Sequence, residues 1–304
     1  MRLLENGIFI AIVAHGIIGV SLVWDKVLLR RPATSSLPSY VFWLGSLSIF
    51  GLLLIPFGFK PPSARMAALA LLAGVVHLAA VWFYYVALKQ GEASETLTVM
   101  GGFSPLATAL IGMALLSKPL GGKSIAGFAL LVAGGFAMFF AENLDWRRVL
   151  PGVLLSAALF GVTNVLQKLV FNATGFITGY VIFTAGTAVA AAAMLLPPAW
   201  RRQILEHSGG APPKSKFWYF VNRFLSGVGS FLIFFAISRA NPAVVDSISG
   251  VRYVIIFVGA YALTRLKPAW LREDFQRPVL IAKSGATALI IAGLLLLGSN
   301  ESSR

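Results

Sequence analysis

The chain has 304 residues, of which 58% are hydrophobic and 12% charged, with a mean hydropathy of +0.82 and no cysteine. A soluble domain carries about 25% charged residues, and no water-facing surface accommodates so much apolar area, so lipid must supply the outside. Disulfides, thiolate metal sites and a cysteine nucleophile are excluded. The net charge of +14 sits largely between apolar runs, where topology and anionic headgroups account for it without nucleic acid.

Ten runs have the length that crosses about 30 Å of hydrocarbon at 1.5 Å per residue. They are expected at 7–29, 38–57, 66–88, 92–116, 123–140, 149–171, 175–197, 217–238, 242–264 and 279–298. The first is long for a signal-peptide core and lacks a small-x-small cleavage site, so it is read as part of the mature fold. Arg30-Arg31-Pro32 closes the first run, Lys60-Pro61-Pro62 the second and Pro197-Pro198 the seventh. The stretch 199–216, with Gly209-Gly210 and Pro212-Pro213, reads as the longest polar loop.

Internal repetition organises these runs. Gly19-Val20-Ser21-Leu22-Val23-Trp24-Asp25-Lys26 aligns with Gly161-Val162-Thr163-Asn164-Val165-Leu166-Gln167-Lys168, 142 positions later. Ala87-Leu88, Gly101 and Lys118-Pro119 align with Ala236-Ile237, Gly250 and Lys267-Pro268 at a spacing of 149. Leu131-Val132-Ala133-Gly134 aligns with Ile290-Ile291-Ala292-Gly293 at 159. The expected architecture is an all-α membrane protein of ten transmembrane helices, built as two five-helix repeats over 1–146 and 147–304. An odd number of spans per copy inverts the second copy in the bilayer. Inverted repeats are a feature of secondary transporters, whose solute site lies near the midplane between the halves.

Residues 84–94, Tyr84-Tyr85-Val86-Ala87-Leu88-Lys89-Gln90-Gly91-Glu92-Ala93-Ser94, and then Phe103-Ser104-Pro105-Leu106, resemble the EamA-type drug/metabolite transporter superfamily. Ala133-Gly134-Gly135, Gly19 and Lys26 fit the same resemblance, which extends over nearly the whole chain. It implies ten helices in two inverted repeats, and export or exchange of small metabolites. The chain departs from the family pattern at Ser117-Lys118-Pro119, where an acidic residue is usual, and at Val254, which stands where the second half often has proline.

Charged groups inside spans are costly unless they face a cavity or a partner, so each is a candidate for solute binding. His15, Gly19, Leu22 and Lys26 form one stripe of the first span, and Ala157, Gly161, Asn164 and Lys168 the matching stripe of the sixth. The two lysines would attract an anionic group, or else snorkel to the interface. His77, central in its span, could carry a proton, and its repeat mate Ser226 is also polar. Arg252 needs a counter-ion, a carbonyl cluster or an anionic substrate, and a cross-helix counter-ion such as Glu95 or Asp25 is expected before Asp246. Asp246 is six residues away on the same run, and an ideal helix would point the two apart. Asp246, Ser249 and Tyr253 make a polar face, while Arg223 reads as shallower and weaker. Trp82, Tyr84 and Tyr85 read as interface anchors.

No HExxH, GxSxG, P-loop or GxGxxG motif occurs. The expectation is therefore a secondary transporter that is not an enzyme, works by alternating access and needs no cofactor or metal. Its partners would be a small polar metabolite, amino acids or organic anions included, the lipid bilayer, and a coupling proton or ion. A flippase or intramembrane enzyme acting on a phosphorylated lipid carrier is the alternative. A prokaryotic inner membrane is the expected location. Loop Lys and Arg residues, Lys283 counted among them, favour termini outside the cell, whereas the resemblance favours cytoplasmic termini. The orientation stays open.

Overall fold

The computed structural model describes residues 6–29, 36–90, 93–116, 122–140, 146–210, 213–266 and 277–301. Among them there is no strand. The helices are α1 (Gly7–Leu29), α2 (Leu37–Leu47), α3 (Ala64–Gln90), α4 (Ala93–Leu116), α5 (Gly122–Phe140), α6 (Trp146–Thr174), α7 (Phe176–Ala193), α8 (Pro198–Gly210), α9 (Pro213–Arg239), α10 (Pro242–Ser247), α11 (Gly250–Leu266) and α12 (Arg277–Glu301). The chain continues from α2 into a 3-10 helix, Ser48–Phe57.

The ten expected runs fall mainly on helix among the described residues, the second ending in the 3-10 turn segment. Among the described residues, seven helical segments are long and apolar enough to cross a bilayer: Gly7–Asp25, Leu37–Phe57, Ala64–Lys89, Leu150–Thr174, Phe176–Ala193, Lys216–Arg239 and Pro242–Leu266. Phe103–Leu116, Ile125–Ala137 and Leu280–Leu296 are shorter apolar helices. The molecule is thus an all-helical, multi-pass membrane protein. Its outer surface is apolar where a soluble protein would be polar: Leu53, Phe57, Phe224, Ile281 and Leu295 are all exposed, which lipid tolerates and water does not.

Local chemistry sets several boundaries. Ser36 caps α2 through Ser39 N–H, with Pro38 in the first turn. Asn241 caps α10 the same way through Ala243 N–H, with Pro242 in the first turn. Each side chain takes a backbone donor that the helix leaves over, and proline has none to lose there. Gly175 alone separates α6 from α7 at φ 79°, a turn that a Cβ would disfavour. Two expectations change. The stretch read as the longest polar loop carries a helix, α8, whose Trp200 stacks on Trp82 at 4.7 Å. Lys283, counted with the loops, is buried in α12, with its ammonium 5.6 Å from the centre of the Phe257 ring.

Small residues set the helix crossings. A Cβ added at Gly134 would stand 2.7 Å from Ile290 Cγ1 and 3.1 Å from the Ala286 carbonyl. One added at Gly293 would stand 2.8 Å from Leu131 Cγ and 3.0 Å from the Gly127 carbonyl. The contact is reciprocal, and α5 and α12 run antiparallel through it. Gly19 of α1 lies against Arg252 and Ile255 of α11, and Gly161 of α6 against Ala107 and Thr108 of α4. Further along, Gly259 meets Val23 and Gly112 meets Val165, so both of these crossings are parallel. Absent side chains let the backbones approach where lipid offers no hydrophobic drive between helices.

Candidate functional site

The continuous run expected at 242–264 is broken. Ser249 N–H bonds to the Asp246 carbonyl, Val251 N–H to Ile248 and Arg252 N–H to Ser249, all three residues back instead of four. The tightening separates α10 from α11 and releases the Val245 carbonyl from its usual partner, Ser249 N–H. His15 takes that carbonyl: its Nε2 lies 2.9 Å from it, and Arg252 Nε donates to His15 Nδ1 at 2.6 Å. Both bonds are met only by the neutral ring carrying its hydrogen on Nε2.

At the same break Asp246 is buried. Ser104 Oγ donates to its Oδ2 at 2.8 Å and Thr108 Oγ1 to the same atom at 2.6 Å, both from α4. Asn164 of α6 and the charged Arg252 also lie near enough to act on its carboxylate. The ideal-helix expectation that Asp246 and Arg252 face apart fails because the helix between them is interrupted. Ser249, 2% exposed, has an Oγ with no hydrogen-bond partner. One anionic group, one cationic group and an unpaired hydroxyl therefore meet where α1, α4, α6 and the α10–α11 break converge.

The other sequence candidates lie elsewhere. Lys168 donates to the carbonyls of Ile237 and Ser238, in the last turn of α9. His77 sits among Phe160, Phe183 and Phe234, ring centres 5.2 to 5.7 Å away, and its Nδ1 has no partner. Ser226 is half-buried on α9. The side chains of Lys26, Glu95 and Tyr253 lie outside the described ones.

A second polar cluster joins α1 to α9. Asp25, 1% exposed, pairs with Arg223, 5% exposed. Tyr40 and Tyr85 donate their hydroxyls to the Asp25 carboxylate at 2.5 and 2.7 Å, and Asn222 Nδ2 donates at 2.5 Å. The Arg223 guanidinium also lies over the Tyr40 and Tyr219 rings, at 5.2 and 5.4 Å. Asp25 is therefore not the counter-charge of Arg252. Arg223 is deeply engaged rather than shallow, and Tyr85 faces inward instead of anchoring at an interface. Buried charges need partners in a low-dielectric interior, and removing one partner of such a pair costs about 3–5 kcal/mol.

Residues 5–140 match the sequence profile of the EamA-like transporter family. That part of the chain is similar to the EamA-like drug/metabolite transporters. Members of that family are membrane transporters rather than enzymes, and they imply a small-molecule substrate and a bilayer as partners. Among curated proteins, none matches the sequence. A solved structure titled "Crystal structure of protein" superposes with a TM-score of 0.60 at 16% identity, covering 94% of this chain and 96% of that one. At that identity the likeness shows the fold alone.

Sequence reasoning singled out His15, Asn164, Asp246, Ser249 and Arg252, which the fold brings together. It missed Ser104 and Thr108, whose hydroxyls are ordinary in any helix until a carboxylate faces them. It also missed Gln167, fully buried with neither amide atom partnered. The alignment of Gln167 with Asp25 was the available signal.

Proposed function

We propose that the chain is a secondary carrier that moves a small polar metabolite by alternating access between two antiparallel five-helix halves, 1–146 and 147–304. The α10–α11 break is its solute site. The pairing of helices supports the two-half reading. α3 packs antiparallel on α6 and α9 antiparallel on α1, while α4 runs parallel to α6 and α11 parallel to α1. Each relation recurs when the halves are exchanged, and the reciprocal crossing of α5 with α12 lies on the exchange axis. A twofold axis in the membrane plane allows one sequence two arrangements of similar energy, open to opposite sides.

The single observation that carries the site is Asp246 held by Ser104 and Thr108, with Asn164, Arg252 and Ser249 beside it. A carboxylate and a guanidinium at one site suit a solute bearing both charges. Among the metabolites considered from sequence, a zwitterion such as an amino acid fits better than a simple organic anion, which Asp246 would repel. The absence of a P-loop leaves a gradient or exchange as the driving force, and Asp246 and His15 make a proton gradient the first to impose. Purified protein in liposomes should accumulate labelled amino acids against an empty-vesicle control, with flux falling about tenfold or more in Asp246→Asn. Equal flux in wild type and Asp246→Asn would remove the site assignment, and absence of flux over amino acids, sugars and organic acids would remove the carrier reading.

A further inference from the structure

The two ends of the bundle are closed by different chemistry. At the end where α1 finishes, Asp25 of α1, Tyr40 of α2 and Tyr85 of α3 meet Tyr219, Asn222 and Arg223 of α9. Tyr219 adds a hydroxyl bond to the Tyr40 carbonyl at 2.8 Å. The repeat spacing places Gln167, Gly74 and Phe234 where Asp25, Arg223 and Tyr85 stand. Towards the end where α1 begins there is accordingly no counterpart of the ion pair among the described residues. Phe183 and Phe234 stack edge to face at 4.7 Å there, with Tyr180 and Phe231 packed around them.

We propose that the Asp25–Arg223 pair, ringed by Tyr40, Tyr85 and Tyr219, is a charge latch that closes the end of the bundle where α1 finishes, and that solute passes that end only when the pair separates. The inference rests on the carrier reading for its purpose, but the latch itself is a statement about one interface. Three observations carry it. The pair spans α1 and α9, helices of different proposed halves, so rocking one half against the other must separate it. Both charges are almost wholly buried, so an intermediate with one of them unpaired in the dry interior is disfavoured, which makes the interface bistable: paired and dry, or apart and hydrated. Finally, Arg223 Nε has no partner in the closed arrangement, so water entering on separation completes its hydrogen bonding. Among the described residues the opposite end, closed by rings, has no such pair to neutralise.

The chain has no native cysteine, so spin labels can be placed in pairs on an otherwise unlabelled background. Lys89→Cys with Phe217→Cys spans the latched end, and Arg65→Cys with Arg239→Cys spans the other. All four positions have exposed side chains. Distances would be measured by pulsed dipolar spectroscopy in lipid nanodiscs without solute. In Asp25→Asn, which keeps the shape and loses the charge, the population of long Lys89–Phe217 distances should rise about tenfold, a shift of one decade in a two-state equilibrium. The Arg65–Arg239 distances should not lengthen. Reversing the pair, Asp25→Arg with Arg223→Asp, should bring the long population back towards wild type. If Asp25→Asn does not fold, Arg223→Lys, which keeps the charge and loses the fork and ring contacts, should open the same end. Unchanged Lys89–Phe217 distances in a monodisperse variant would overturn the latch, as would equal widening at both ends, which marks a loosened bundle. Because no solute is present, a chain that opens at this end yet moves no metabolite refutes the transport reading and leaves the latch standing.

Discussion

Asp246 and Asp25 show how differently two buried carboxylates can be used. Asp246 receives two hydroxyl donors and has a cation nearby, an arrangement that can exchange one of its partners for an ammonium group without stranding a charge. Asp25 is matched directly by Arg223 and has no spare role. Arg223→Ala should therefore lower stability by about 3–5 kcal/mol, because the carboxylate stays buried without its cation; thermal unfolding in detergent reads this as a lower Tm. Asp246→Asn should leave the Tm close to wild type, since an amide still accepts from Ser104 and Thr108, while transport falls. A stable Arg223→Ala protein would mean that water already reaches Asp25.

At the scale of helices, glycine decides which backbones touch. Gly134 and Gly293 make the reciprocal contact of α5 with α12, and Gly19 and Gly161 bring α1 and α6 onto the helices that carry Arg252 and Thr108. Gly134→Val should cost about 1–3 kcal/mol by overpacking against Ile290, seen as a lower Tm. Gly161→Ala would press a methyl group to within 2.9 Å of Thr108 N, moving a residue that holds Asp246, so its effect should be larger on flux than on Tm. Gly227→Ala, with nothing within 4 Å of the added atom, should match wild type in both measurements. The interruption between α10 and α11 belongs to this scale too. Continuous helix would return the Val245 carbonyl to Ser249 N–H and leave His15 without its acceptor.

For the whole molecule the consequence is access. Single cysteines at Ala14 on α1 and Ala80 on α3, both fully buried, should react slowly with impermeant thiol reagents, and saturating solute should change the rates from the two sides in opposite directions. Rates that respond to solute from one side alone would indicate a receptor or a one-sided pocket, not a carrier.

Composition and run length by themselves determined a multi-pass helical bundle, because only lipid can be the outside of a chain this apolar. The aligned segments placed Gly19 with Gly161 and Gly134 with Gly293, and those glycines proved to sit at the close crossings. His15, Asp246 and Arg252 were legible as costly in-span groups. Their partnerships were not, since a helix drawn as ideal sends Asp246 and Arg252 apart. Tertiary structure alone decided that the helix breaks, that Arg252 turns to His15, and that Asp25 is claimed by Arg223 some two hundred residues away. The physical reason is that burial cost depends on a single side chain and can be read locally. Pairing depends on which helices lie side by side, and that is settled by packing across the entire bundle.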